Sequence, residues 1–195
     1  MNFKCNQKQL LDHIQIVNKS ISPRTSLPIL ENIHVTLENN ALKLRGSDLE
    51  IGIETKLPLE NSTENGTFLV NSKTIHNILS KIPATTVDVK VNESFKCMIN
   101  ADNVDFDLCG LSTDKYPDFP EIESGINFSL PIDVLLDCIK YTLFSVSFDS
   151  TKQFLNGILL EYKEGQLTFV STDGYRLSIK HAAVDNIDRD FSVII

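Results

Sequence analysis

The chain is poor in the features that mark secreted, membrane-bound or catalytic proteins. Across 195 residues no run approaches the ~20 consecutive apolar residues that a bilayer span requires. The N-terminus, Met-Asn-Phe-Lys-Cys-Asn-Gln-Lys, lacks the apolar stretch of a secretory signal. Its four cysteines, Cys5, Cys97, Cys109 and Cys138, form no C-x-x-C and have no histidine at ligand spacing. Each sits among apolar residues, so buried, reduced thiols in a cytoplasmic protein are expected. The eight glycines are scattered singly, which excludes a Gly-rich phosphate cradle, and no G-x-S-x-G motif is present. No cofactor and no metal is expected. Asp102, Asp105 and Asp107 do not follow calcium-loop spacing. Their alternation reads as an edge strand whose open face is protected by charge. Positive charge is short overall: the formal net charge is −8. That argues against gripping nucleic acid with the whole surface, but not against basic residues gathered on one face.

What is present is a repeat. Setting each residue against the one 125 positions later pairs Phe3 with Phe128, Leu10-Leu11-Asp12 with Leu135-Leu136-Asp137, and Ile14 with Ile139. The same offset pairs Leu30 with Leu155, Ile33 with Ile158, Leu42 with Leu167, and Ser47-Asp48 with Thr172-Asp173. A repeat of domain size implies a duplicated folding unit. The expected division is residues 1–125, a complete domain, and 126–195, the N-terminal part of a second. After Asp173 the phase is expected to slip by one residue at Gly174, so that Leu177 and Ile179 answer to Ile51 and Ile53.

Periodicity predicts an amphipathic helix over 6–19, with Leu10, Leu11, Ile14 and Val17 as its buried stripe. A hairpin of 29–37 and 42–44 follows, then a strand over 51–57. Ser72 is the expected N-cap of a second helix closed by Pro83, and three alternating strands cover 87–91, 95–99 and 104–108. Residues 114–125, rich in Pro, Asp and Glu, read as a connector. Beyond it, Leu135, Leu136, Ile139 and Leu143 should repeat the first buried stripe, and 154–161 with 167–170 the first hairpin. One helix and three strands, twice over, make an α+β fold with helices on one face of antiparallel sheets. Asp173 could be imagined as an acid–base group, but its counterpart Asp48 favours a structural turn. The lysines on predicted helices, Lys8, Lys73, Lys81 and Lys140, are either a solvated face or, if the helices share a surface, a cationic one.

Five motifs occur in order: Ser22-Pro23-Arg24-Thr25-Ser26-Leu27-Pro28-Ile29-Leu30, Ser47-Asp48-Leu49-Glu50, Tyr116-Pro117-Asp118-Phe119-Pro120, Leu155-Asn156-Gly157 and Thr172-Asp173-Gly174-Tyr175-Arg176-Leu177. The series resembles the bacterial sliding clamp, the beta subunit of DNA polymerase III. The resemblance implies duplicated clamp domains, three per chain, in a ring of two chains around duplex DNA, with helices lining the hole. It implies polymerase processivity and no catalysis. By that likeness Arg24, the helix lysines Lys8, Lys73 and Lys140, and Lys152 and Gln153 in the 148–153 loop would meet DNA without reading its sequence. Leu155, Thr172, Gly174, Tyr175, Arg176 and Leu177 would form one wall of a pocket for the clamp-binding peptides of polymerases and clamp-loader subunits. Core packing is the competing reading of Leu155 and Leu177. Phe106 and Leu108 would lie where a second clamp chain joins. With 195 residues the chain is not expected to close a ring. The alternative is a regulatory or decoy fragment that binds clamp-motif peptides or clamp subunits without encircling DNA.

Overall fold

The computed structural model describes residues 1–22, 25, 27–60, 62–83, 85–102, 104–119, 125–149, 151–184 and 187–195. Two compact units divide it, Met1–Pro120 and Glu121–Ile195. Among the described residues no helix is long and apolar enough to cross a membrane.

The first unit runs β1 (Asn2–Asn6), α1 (Gln7–Val17), β2 (Asn32–Glu38), β3 (Ala41–Ser47), β4 (Gly52–Pro58), β5 (Ser62–Glu64), β6 (Gly66–Asn71), α2 (Ser72–Leu79), β7 (Thr86–Val91), β8 (Lys96–Ala101) and β9 (Val104–Cys109). The strands form two antiparallel sheets, ordered β4-β3-β2-β6 and β5-β1-β7-β8-β9. Both helices contribute to one core: Leu10, Ile14 and Val17 of α1 and Ile75 and Leu79 of α2 are buried with Leu42, Leu44, Val87 and Ile99. Burying this apolar surface is the main stabilising term of the unit. The N-terminus of α1 is capped by Asn6, whose Oδ1 accepts from Lys8 N at 3.0 Å and Gln9 N at 3.3 Å. The second helix is capped by Asn71, not Ser72. Asn71 is extended and accepts from Thr74 N at 3.0 Å, while Ser72 is already helical and buried.

The second unit holds α3 (Ile132–Leu143), β10 (Leu159–Lys163), β11 (Gln166–Thr172), β12 (Leu177–Ala183) and β13 (Phe191–Ile194), with sheet order β12-β11-β10-β13. Its core joins Cys138, Ile158, Leu160, Leu167 and Phe169, with Phe128 and Tyr162 stacked about Phe191 at 5.8 and 6.1 Å.

The repeat holds in the hydrogen-bond ladders. His34 pairs with Arg45 as Leu159 pairs with Val170, Arg45 with Glu54 as Val170 with Ile179, and His34 with Leu69 as Leu159 with Ile194. The expected slip at Gly174 does not occur. Ser47 pairs with Gly52 and Thr172 with Leu177, so Leu177 answers to Gly52 and Ile179 to Glu54. Gly174 is no insertion: it has φ +92°, and its counterpart Leu49 has φ +79°.

Other expectations are corrected. Residues 28–31 form a short 3-10 turn, led by a proline whose fixed φ suits a first helical position, and the strand starts only at Asn32. Likewise 153–155 is a 3-10 turn and its strand starts at Leu159. On α3, Leu136 and Leu143 are exposed, and Cys138 and Thr142 are the buried positions. This helix packs against β12 and β11, whereas α1 is also covered by α2 and by β1 of the second sheet. Cys109 is exposed, because it alternates with buried Leu108 at the end of an edge strand.

Candidate functional site

The turn from β11 to β12 is built by its own side chains. Thr172 Oγ1 donates to Arg176 O at 2.7 Å and accepts from Gly174 N at 3.1 Å. Asp173 Oδ1 accepts from Tyr175 N at 2.9 Å and Arg176 N at 3.0 Å, and Arg176 Nε donates to Asp173 Oδ2 at 2.9 Å. The Tyr175 and Arg176 N–H groups, with the Arg176 guanidinium, hold the Asp173 carboxyl below the usual carboxylate range. A carboxylate so occupied is a poor proton acceptor, and the first unit builds the same turn. There Leu49 N donates to Ser47 Oγ at 3.0 Å, and Glu50 N and Ile51 N donate to Asp48 Oδ1 at 3.0 and 2.8 Å. The turn projects Tyr175, which is fully exposed, and lays the Arg176 guanidinium 5.8 Å from the Phe144 ring.

Leu155 is half-buried and held from behind: its carbonyl accepts from Ser147 N at 2.9 Å. Its neighbour Asn156, with the amide oriented to satisfy it, donates to Ser147 O at 3.0 Å and Asp149 O at 3.1 Å. Gly157 lets the chain end approach, since a Cβ there would stand 2.5 Å from Ile194 Cγ2. Leu177 is 61% exposed, so it is not a core residue.

The sheet register brings further residues to this surface that sequence reasoning missed. Leu159, Val170 and Ile179 lie side by side across β10, β11 and β12, on the face that carries Leu177. Ile179 is 52% exposed, and Leu159 and Val170 are half-buried. Their counterparts in the first unit are His34, Arg45 and Glu54. A polar row replaced by an apolar one at outward positions is the signal that could have found them. The assumed phase slip hid it at Ile179 alone, which was set against Ile53 instead of Glu54.

The lysines divide in two. On the sheets of the first unit, Lys4, Lys43, Lys56, Lys90 and Lys96 each lie within 2.7 to 3.9 Å of a carboxylate. Lys8 and Lys73, exposed on the first turns of packed helices α1 and α2, join no ion pair among the described residues. In the second unit Lys140 is exposed 5.9 Å from the Tyr141 ring, and Lys152 and Gln153 are exposed in the loop after α3. Arg24 lies outside the described residues.

Strand β9 is the edge of its sheet, with Asp105 and Asp107 exposed. Leu108 is only 8% exposed and belongs to the core, and Phe106 packs against that core half-buried. Both side chains thus face the unit's own core, and the outer edge of β9 is left without a paired strand among the described residues. A cleft of about 510 Å³ near β1 is lined by Lys4 but by none of the candidate site residues named above. The Cys5 thiol on its wall is pushed up to about 12 by burial and is no nucleophile.

The family described as DNA polymerase III beta subunit, N-terminal domain, matches residues 1–120, and its central domain matches residues 129–195. A beta sliding clamp of Bacillus subtilis (strain 168) is 30% identical over 203 residues, covering 100% of this chain and 54% of that protein. That of Halalkalibacterium halodurans is 32% identical over 195 residues, covering 96% and 51%. Among solved structures, the Bacillus subtilis DNA polymerase sliding clamp aligns with a TM-score of 0.93 at 30% identity, and the Streptococcus pyogenes beta subunit with 0.93 at 25%. Each alignment covers 100% of this chain and 53% of that one. The chain thus spans about half the length of the curated relatives it matches. On fold, register and motifs together, the chain belongs to the DNA polymerase III beta subunit family.

Proposed function

We propose that this chain serves as part of a DNA sliding clamp, conferring processivity on the replicative polymerase and carrying out no chemistry itself. The observation that carries this reading is the division of the lysines. In the first unit the sheet lysines lie beside carboxylates, whereas Lys8 and Lys73 on the helices are left for an external polyanion. In this reading Lys8, Lys73 and Lys140, with Arg24, Lys152 and Gln153, touch phosphates of duplex DNA and carry no sequence information. Few such contacts suit a protein that must move along DNA while topology retains it. The free edge of β9, backed by Phe106 and Leu108, would join a second clamp chain by strand addition.

The test is anisotropy titration of labelled duplexes at several salt concentrations. Affinity should be equal for unrelated sequences and fall with salt, and Lys8→Glu with Lys73→Glu should weaken it. Sequence-dependent binding, or indifference to both substitutions, would overturn the reading.

The apolar row favours a second activity on the same chain, capture of partner peptides without encircling DNA. Leu159, Val170, Leu177 and Ile179 offer an apolar strip that Leu155 would extend, Thr172 and Gly174 keep the backbone approachable, and Tyr175 and Arg176 would rim it. Clamp-binding segments of polymerases and clamp-loader subunits, with apolar anchors, are the fitting class of ligand. Full affinity of a clamp-motif peptide in the absence of DNA supports this; no binding at any salt concentration would count against it.

A further inference from the structure

The first unit carries its own version of this strip, and it is covered. The row there runs Leu69, His34, Arg45, Glu54 across β6, β2, β3 and β4. After β9 the chain turns back across that row. Leu111 pairs with Leu69 through two backbone bonds, N–H to carbonyl, of 2.9 and 3.0 Å. The Tyr116 ring lies 5.4 Å from His34, and the Phe119 ring 5.4 Å from the Arg45 guanidinium. Phe119 also settles into the hollow left by Gly52, where a Cβ would stand 2.5 Å from its Cζ. Gly52 is the counterpart of Leu177, and Arg45 of Val170. The row that lies open in the second unit is therefore extended in the first by Leu111 at the sheet edge and covered by Tyr116 and Phe119 of the same chain.

We propose that residues Tyr116–Phe119 are a ligand docked in cis, and that the surface of His34, Arg45 and Gly52 is a latent binding site. Its ligand class is a short peptide of the form aromatic-Pro-acid-aromatic, two rings three residues apart. Arg45 attracts the face of the second ring, and the missing side chain at position 52 admits its edge. The site stays closed because a tethered ligand competes at high effective concentration. It becomes available to a second molecule when the segment is lifted. The proposal is independent of whether the second unit binds clamp-motif peptides.

The experiment uses the 195-residue chain and a labelled peptide of its own residues 115–120, Lys-Tyr-Pro-Asp-Phe-Pro. Tyr116→Ala with Phe119→Ala empties the site. Anisotropy should then report saturable binding at least about tenfold tighter than to the parent chain, as loss of two ring contacts and of the tethered competitor implies. Adding Gly52→Leu, the residue type found at the matching position of the second unit, should abolish that gain. Equal binding to parent and emptied chain overturns the proposal. So does binding that survives Gly52→Leu, which would place the peptide elsewhere. Loss of cooperative unfolding in the emptied chain also overturns it, by making the segment an integral part of the fold.

Discussion

The outward faces of the two four-stranded sheets share one register and carry opposite chemistry. In the first unit His34, Arg45 and Glu54 form the row, Glu54 accepts from Arg45 Nε, and the chain's own Tyr116 and Phe119 lie over it. In the second unit Leu159, Val170 and Ile179 form the row, and Leu177 replaces the glycine beside it. The inward faces of the sheets do not diverge in this way: Leu42 and Leu167 are both fully buried, and Leu44 and Phe169 are apolar and buried alike. Even the Asx turns match in the three backbone N–H groups that their side chains bind. Packing constrains the inside of both copies alike, so the duplicated scaffold was free to differ only where water or a partner is the neighbour.

The largest effect should come from exchanging the rows. Leu159→His, Val170→Arg and Ile179→Glu together give the second unit the polar row of the first, including its cross-strand ion pair. All three sit outward, so the melting transition should move little. Affinity for a clamp-motif peptide should fall by about 30-fold or more, the scale of losing one or two buried apolar anchors. Retained affinity in a folded variant would mean that the apolar row is not the binding surface.

The extent to which these features could be read in the sequence depended on periodicity. Helices α1 and α3 and the β2–β3 hairpin were legible, because their apolar spacing follows one period. Strand β6 was not: Phe68, Leu69 and Val70 are buried in succession, so its apolar residues show no alternation. Strand β1 was missed because Asn2–Asn6 is too short for its alternation of buried Phe3 and Cys5 to stand out. At the site, Tyr175 and Leu177 came from motif resemblance. Leu159, Val170 and Ile179 become one surface only when three strands are placed in register, which no local pattern records.

Next in size is a contrast between paired and unpaired lysines. If Lys8 and Lys73 each neutralise a phosphate, replacing either by Gln should reduce the salt slope of duplex binding by about 0.9. Lys43→Gln, whose ammonium lies 3.6 Å from Glu38, should leave the slope unchanged. Equal changes for all three variants would dissolve the distinction between helix and sheet cations.

A smaller effect separates the two turns. Leu49 holds φ +79° while exposed, and Gly174 holds φ +92° with nothing within 4 Å of where a Cβ would stand. Leu49→Gly should therefore stabilise the first unit by about 1 kcal/mol, and Gly174→Ala should cost the second about the same, through backbone strain alone. Urea unfolding measures both. Effects of the same sign would deny that the two turns share a conformation.

The smallest effect is acid sensitivity. Asp48 is held below its ordinary range by the N–H groups of Ile51 and Glu50, as Asp173 is by those of Tyr175 and Arg176. A carboxyl depressed in the folded state contributes stability above its unfolded pKa of about 3.9, and that contribution is lost as pH falls through the folded value. Both groups are open to solvent, so water screens the effect and keeps it small. Asp48→Asn retains a side-chain oxygen acceptor but removes the charge and the titration. At pH 7 the variant should be slightly less stable than the parent, because a charged acceptor binds N–H more strongly. At pH 3 the gap should narrow, since that pH lies below the unfolded pKa of about 3.9, where the advantage of the folded carboxylate starts to be lost. A gap of equal size at both pH values would show that the turn depends on the shape of the side chain at position 48 and not on its charge. The same measurement on Asp173→Asn should differ in one respect. Arg176 Nε also binds Asp173, and no cation among the described residues does so at Asp48, so added salt should shrink the pH 7 gap of Asp173→Asn more than that of Asp48→Asn.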